Sequence, residues 1–174
     1  DVCSSDLPES KYLQFLEITD AFGNVKRNRG DKYRQIEEFI QLVLPSLERI
    51  QNLKIKLGKS DEPIKIIDCG SGSAYLTFAL AQYCIDQKIN FEILGIEVRQ
   101  NLVDKSLELA KSLGLQDKVK FEKISIDEYR KYRNVAPIDI LIALHACDTA
   151  TDEALALAID SRSLEILEIG RAHV

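Results

Sequence analysis

The chain has 174 residues and a formal net charge of −5, with 45% hydrophobic and 29% charged residues. That length and composition fit about one domain, long enough to bury a core. An acidic balance argues against unaided, charge-driven binding to nucleic acid. No apolar run approaches the ~20 residues that a membrane-spanning helix needs.

The two ends stand apart from the rest. Asp1 to Leu7 and Ile169 to Val174 back-translate to strings that are reverse complements of one another. A natural repeat would match in the same sense, so the ends look like one sequencing adapter read on both strands. Residues 1–7 and 168–174 are therefore expected to be adapter-derived. The expected native chain is Pro8 to Leu167, with a helical segment over 8–60 and a core over 61–167 cut before its last strands. Setting aside Asp1, Asp6, Glu168 and Arg171 moves the net charge from −5 to about −3. Cys3 and His173 leave the functional reading with them. Cys69, Cys84 and Cys147 form no C-x-x-C pair and fall on or beside expected core elements, which points to a reduced, cytoplasmic setting.

In chain order, Ala21 to Gly30 carries Gly23, Asn24, Asn28 and Gly30 and reads as a loop. Asp31 can cap a helix running to Leu44, in which Ile36, Phe39, Ile40 and Val43 recur at helical spacing. Pro45 suits the first turn of a second helix, Ser46 to Leu57, closed by Gly58. From Ile64 the pattern alternates: strand Ile64–Asp68, helix Ala74–Gln87, strand Phe91–Val98, then helix Asn101–Leu113. Next come strand Val119–Ile124, a helix or loop over Asp127–Arg133, strand Ile138–Leu144 and helix Asp152–Ile159. Such alternation predicts an α/β fold, a parallel sheet covered by helices on both faces.

Within this frame, Asp68-Cys69-Gly70-Ser71-Gly72 joins the first strand of the alternation to its helix. A strand, a glycine turn and a helix N-terminus in succession are what α/β proteins use to hold a nucleotide-like cofactor. Gly70 and Gly72 let the backbone approach a ligand closely, and Asp68 can accept hydrogen bonds from it. About 25 residues further on, Glu97 near the end of the second strand is well placed for a pair of ribose hydroxyls. Two glycines after a strand can also be only a tight turn, and Glu97 is what favours the cofactor reading. Tyr75 occupies the place of a third glycine, which disfavours a nicotinamide-dependent oxidoreductase. Without a Gly-Lys-Ser/Thr ending, the loop is not a Walker-type phosphate loop.

His145 and Asp148 follow the strand Ile138–Leu144 at its carboxyl end, the side on which open sheets bind ligands. Either residue can face a ligand there. Equally, Asp148 or Thr149 can cap the next helix, through a Thr-x-x-Asp pattern over Thr149 to Asp152, while His145 bonds backbone. A closed zinc site needs four ligands, and with His173 set aside only one histidine remains, so no metal is expected. Lys26, Arg27, Arg29, Lys32 and Arg34 form a basic stretch that can grip phosphates, lie across a cofactor, or be a solvated loop and helix start. Arg130, Lys131 and Arg133 read as a solvated helix face.

The segments Asp68–Leu80 and Leu144–Asp152, with the upstream stretch Asp31–Ile36, resemble a methyltransferase-domain family. It is the family that includes the methyltransferase-like protein 25 group and many uncharacterised bacterial proteins, and the similarity runs from about Asp31 to Ile159. The resemblance implies a Rossmann-like class I methyltransferase fold with S-adenosylmethionine as cofactor. It implies Asp68, Gly70, Gly72 and Glu97 as cofactor-binding residues, with Gln35 and Lys32 as further contacts. His145 and Asp148 would lie nearer the acceptor as catalytic residues, and RNA is the implied acceptor class. Ser73 stands where the family often has lysine, and the family's later strands and C-terminal cysteine motif would fall beyond Leu167. A reading of another class stays open, a non-catalytic module that binds cofactor or RNA.

Overall fold

The structure is a computed structural model that describes residues 13–14, 16–132, 137–144 and 148–169. Five strands, β1 (Ile64–Cys69), β2 (Phe91–Glu97), β3 (Val119–Lys123), β4 (Ile140–Leu144) and β5 (Glu165–Ile169), form one sheet in the order β3-β2-β1-β4-β5. Every pairing is parallel. The helices are α1 (Gly30–Lys56), α2 (Tyr75–Asp86), α3 (Gln100–Ser112), α4 (Ile126–Tyr132) and α5 (Asp148–Asp160). This is the parallel sheet that the alternation predicts, in the Rossmann-like form that the family resemblance implies.

Alternate strand residues divide the core in two, as a pleated sheet requires. Ile64, Ile66, Phe91, Ile93, Ile140 and Ile142 face one side, where they meet the apolar stripes of α1, α2 and α3. Ile67, Cys69, Ile96, Leu141 and Ala143 face the other, against Ile126 of α4 and Ala154 and Leu157 of α5. Burial of both faces explains why these strands read as nearly unbroken Ile/Leu/Val runs. From β1 the chain winds outward to β2 and β3, then crosses back to β4 and out to β5. The winding direction therefore reverses between β1 and β4, and at the strands' carboxyl ends this reversal opens a crevice.

Three elements differ from the sequence expectation. Instead of breaking at Pro45, α1 is one helix of 27 residues with the proline inside it. The ring sits on the exposed side, while Ile36, Phe39, Ile40, Val43, Leu47 and Ile50 form a continuous buried stripe across it. Six buried side chains at about 1.5–3 kcal/mol each outweigh a proline penalty of about 3 kcal/mol. Its N-cap residue is Arg29, which makes no side-chain cap, and Asp31 lies in the first turn rather than at the cap. The last helix begins at Asp148, so Thr149 to Asp152 lie within it instead of preceding it.

The third difference is β5, a strand the sequence reading did not assign. Its residues Glu165 to Ile169 pair with Ile140 to Leu144 and run across the boundary expected at Leu167. Among the described residues no helix is long and apolar enough to cross a membrane.

Candidate functional site

The loop between β1 and α2 is built by backbone geometry. Gly70, Gly72 and Ala74 all have positive φ, at 72°, 58° and 56°. That conformation is open to glycine and strained for alanine. The Gly70 and Ser71 amides both donate to the Ile96 carbonyl, at 2.8 and 3.1 Å, which ties the loop to the end of β2. A Cβ on Gly70 would meet nothing within 4 Å, so the space above it is open. This is a cradle into which a ligand can settle against bare backbone.

Glu97 reaches back from the end of β2 to this loop. Its Oε2 accepts the Gly72 amide at 3.0 Å, and its side chain is only 4% exposed. Arg99 supplies the other donors: its amide and Nε reach Oε1 at 3.0 and 2.9 Å, and its terminal nitrogen reaches Oε2 at 2.9 Å. Hydrogen bonding from Arg99 above all holds the Glu97 carboxyl below its usual range, against the opposing effect of burial. Glu97 is thus a fixed anion at the mouth of the crevice.

Asp68 lies deeper. It is buried and accepts the Thr77 hydroxyl, which comes from the first turn of α2. Burial pushes its pKa up to about 6, with the Glu97 charge adding to the rise and the Thr77 bond opposing it. The two acids are therefore split by environment, Glu97 held below the usual carboxyl range and Asp68 raised to about 6. Cys69, beside them, is a buried thiol raised well above its ordinary value by desolvation, an inert packing group.

Gln35 is brought to the same rim. Its Oε1 accepts the Tyr75 hydroxyl at 2.9 Å, and the Lys32 ammonium sits 5.6 Å above the Tyr75 ring. The tyrosine that replaces a third glycine thus fastens the start of α1 over the loop. His145 and Cys147 lie outside the described residues, as does the side chain of Asp148, whose backbone opens α5. Because β1 and β4 are adjacent and parallel, the carboxyl end of β4 and the helix start that follows belong to the same edge as the glycine loop.

Arg99 and Thr77 were not among the residues read from sequence as site residues. A Glu-x-Arg spacing at a strand end and a hydroxyl one turn into the following helix are the signals that could have found them. Arg130 and Lys131 pair with Asp127 on their own helix, and Arg130 also reaches Asp160, as a solvated face would. Among the described residues no group of three His, Cys, Asp or Glu side chains could hold a metal ion.

A methyltransferase-domain family model matches residues 31–170. The chain belongs to this methyltransferase-domain family. Solved methyltransferases share its fold. The SAH-bound methyltransferase PaMTH1 of Podospora anserina superposes with a TM-score of 0.56 at 19% identity, over 75% of this chain and 51% of that one. The bifunctional kinase-methyltransferase WbdD gives a TM-score of 0.55 at 19% identity, over 79% of this chain and 29% of its own. The chain spans 35%, 54% and 55% of the first three solved structures that it matches. No curated protein matches the sequence.

Proposed function

We propose that this methyltransferase domain uses S-adenosylmethionine and methylates RNA, and that it falls in the group containing methyltransferase-like protein 25. The observation that carries the cofactor reading is the meeting of Glu97 with the Gly70–Gly72 cradle. A carboxylate at the end of β2 is suited to a ribose diol, and bare glycine backbone to a close-lying chain. Family membership and the fold shared with an SAH-bound enzyme support the same reading. Bound there, S-adenosylmethionine would supply an activated methyl group on a sulfonium.

The rest is the work of the chain's own residues. Glu97 and the glycine loop would hold and orient the cofactor, and much of the rate of an in-line displacement comes from such positioning. His145 or Asp148, after β4, would take the proton that the acceptor loses when it is a hydroxyl or a protonated amine. For the acceptor, the basic stretch Lys26, Arg27, Arg29, Lys32 and Arg34 reaches the rim of the cradle at Lys32, which lies over Tyr75. Phe22, four residues before Lys26 in the chain, is 86% exposed in a turn fixed by Asp20, which accepts the Phe22 and Asn24 amides at 2.8 and 2.9 Å. An aromatic face beside cations suits single-stranded nucleic acid.

The test is transfer of labelled methyl groups into total RNA and total protein. Label in RNA is expected, falling by roughly 10²–10⁴-fold in His145→Ala or Asp148→Ala with cofactor binding intact. Label confined to protein would overturn the acceptor. Cofactor binding without transfer to either would favour the non-catalytic module.

A further inference from the structure

A carboxylate offers about four acceptor positions, and Glu97 has all four filled. Each oxygen accepts one backbone amide, from Arg99 or Gly72, and one guanidinium donor from Arg99. No ribose hydroxyl can be added to this arrangement; one can only be exchanged into it. The backbone donors are fixed. Gly72 is held within the loop, and the Arg99 backbone starts α3, its carbonyl accepting the Leu102 and Val103 amides at 3.0 and 3.2 Å. The Arg99 side chain, in contrast, is 61% exposed and can leave into water at little cost.

We infer that the Arg99 guanidinium is a stand-in for the ribose diol, closing the subsite until a cofactor displaces it. The inference rests on the cofactor reading above and adds how that site is regulated. Two hydroxyls replace two N–H donors, so Glu97 keeps its full set of bonds in both states and is never left buried without partners. The exchange also moves a positive charge away from Glu97 and into solvent. A nearby position of the guanidinium is evident in the closed state, in which its terminal nitrogen lies 3.8 Å from where a Cβ on Gly72 would be. The gate therefore sits directly against the cradle. Its cost is an ion pair that every incoming cofactor must break, so the resting affinity is lower than the bare pocket would give.

Two measurements on the whole chain test this, with S-adenosylhomocysteine as the probe. In the free protein the Arg99 Nε–H should give a protected NMR signal, assigned by its loss in Arg99→Lys. It should lose that protection at saturation, while Gly72 keeps an amide signal typical of a hydrogen-bonded group. By calorimetry, Arg99→Ala should bind the probe roughly 2- to 5-fold more tightly than the parent, the range a part-exposed ion pair supports. Glu97→Ala should lose binding in either background. An Arg99 signal unchanged in the saturated complex would overturn the inference, as would unchanged or weaker binding by Arg99→Ala. If Arg99→Ala does not fold, Arg99→Gln and the parent's NMR signal decide. Failure of both parent and Arg99→Ala to bind the probe would instead remove the cofactor reading, and the gate with it.

Discussion

Asp68 and Glu97 share one crevice but respond to pH in opposite directions. The raised pKa of Asp68, about 6 against an ordinary 3.8, means the folded chain keeps a proton that the unfolded chain releases between about pH 4 and 6. Stability is therefore fully present below that window and lost as pH rises through it, by on the order of 3 kcal/mol. Glu97 is lowered, so its contribution is present above its ordinary pKa and lost as pH falls through the lowered value. Asp68→Asn should then match the parent near pH 4 and exceed it at pH 7 in urea denaturation. An equal difference at both pH values would contradict the assignment. Gly95 is a second residue whose role is steric. A Cβ there would lie 2.5 Å from the Phe121 ring and 3.0 Å from the Ser71 hydroxyl. Gly95→Ala should cost about 1–3 kcal/mol as an overpacked core does, and a stability within experimental error of the parent would show that Phe121 can yield.

At the scale of elements, α1 is the piece that ties the sheet together. Arg49 pairs with Glu165 of β5 at 2.6 Å, and Lys54 pairs with Asp139 before β4 at 3.1 Å. Asp139 also accepts the Lys65 amide of β1 at 2.8 Å, so one carboxylate links three elements. Near its start, α1 meets the cradle through Gln35 and Tyr75. With Pro45 on the exposed side and all the burial on the other, Pro45→Ala should raise the melting free energy by about 1–2 kcal/mol, once the looser unfolded chain is allowed for. A loss of stability would show that the ring packs. If RNA is the acceptor as proposed, Lys26→Ala with Arg27→Ala and Arg29→Ala, before α1, should weaken its binding and flatten the salt dependence by about three phosphate contacts. RNA binding with an unchanged salt slope would place the nucleic acid elsewhere. The alternating core was legible because each strand is buried on both faces and each helix carries a stripe. The misreadings have local causes. Proline rules describe an isolated helix and not one pinned along a buried stripe. β5 is a short edge strand of five residues in which Leu167 is buried and Ile166 41% exposed, and setting aside residues 168–174 cut it in two.

For the whole molecule, the crevice exists because of where the winding reverses. Asp68, Gly70, Gly72 and Glu97 belong to two different strand–loop units, and the parallel register of β1 and β2 brings Asp68 opposite Gly95 and Cys69 opposite Ile96. Their convergence was legible in sequence because the signals are local: glycines after a strand and an acid at the end of the next. The clasp of Arg99 on Glu97, the Thr77 bond to Asp68 and the Gln35–Tyr75 contact depend on how separate elements pack, which spacing alone does not encode. The central claim is that this crevice is a cofactor site read by Glu97. It is tested most directly by calorimetric titration of the chain with S-adenosylhomocysteine and, separately, with NADH. Micromolar binding of S-adenosylhomocysteine alone, lost in Glu97→Ala, is the expected result; binding of NADH alone, or S-adenosylhomocysteine binding indifferent to Glu97→Ala, would contradict it.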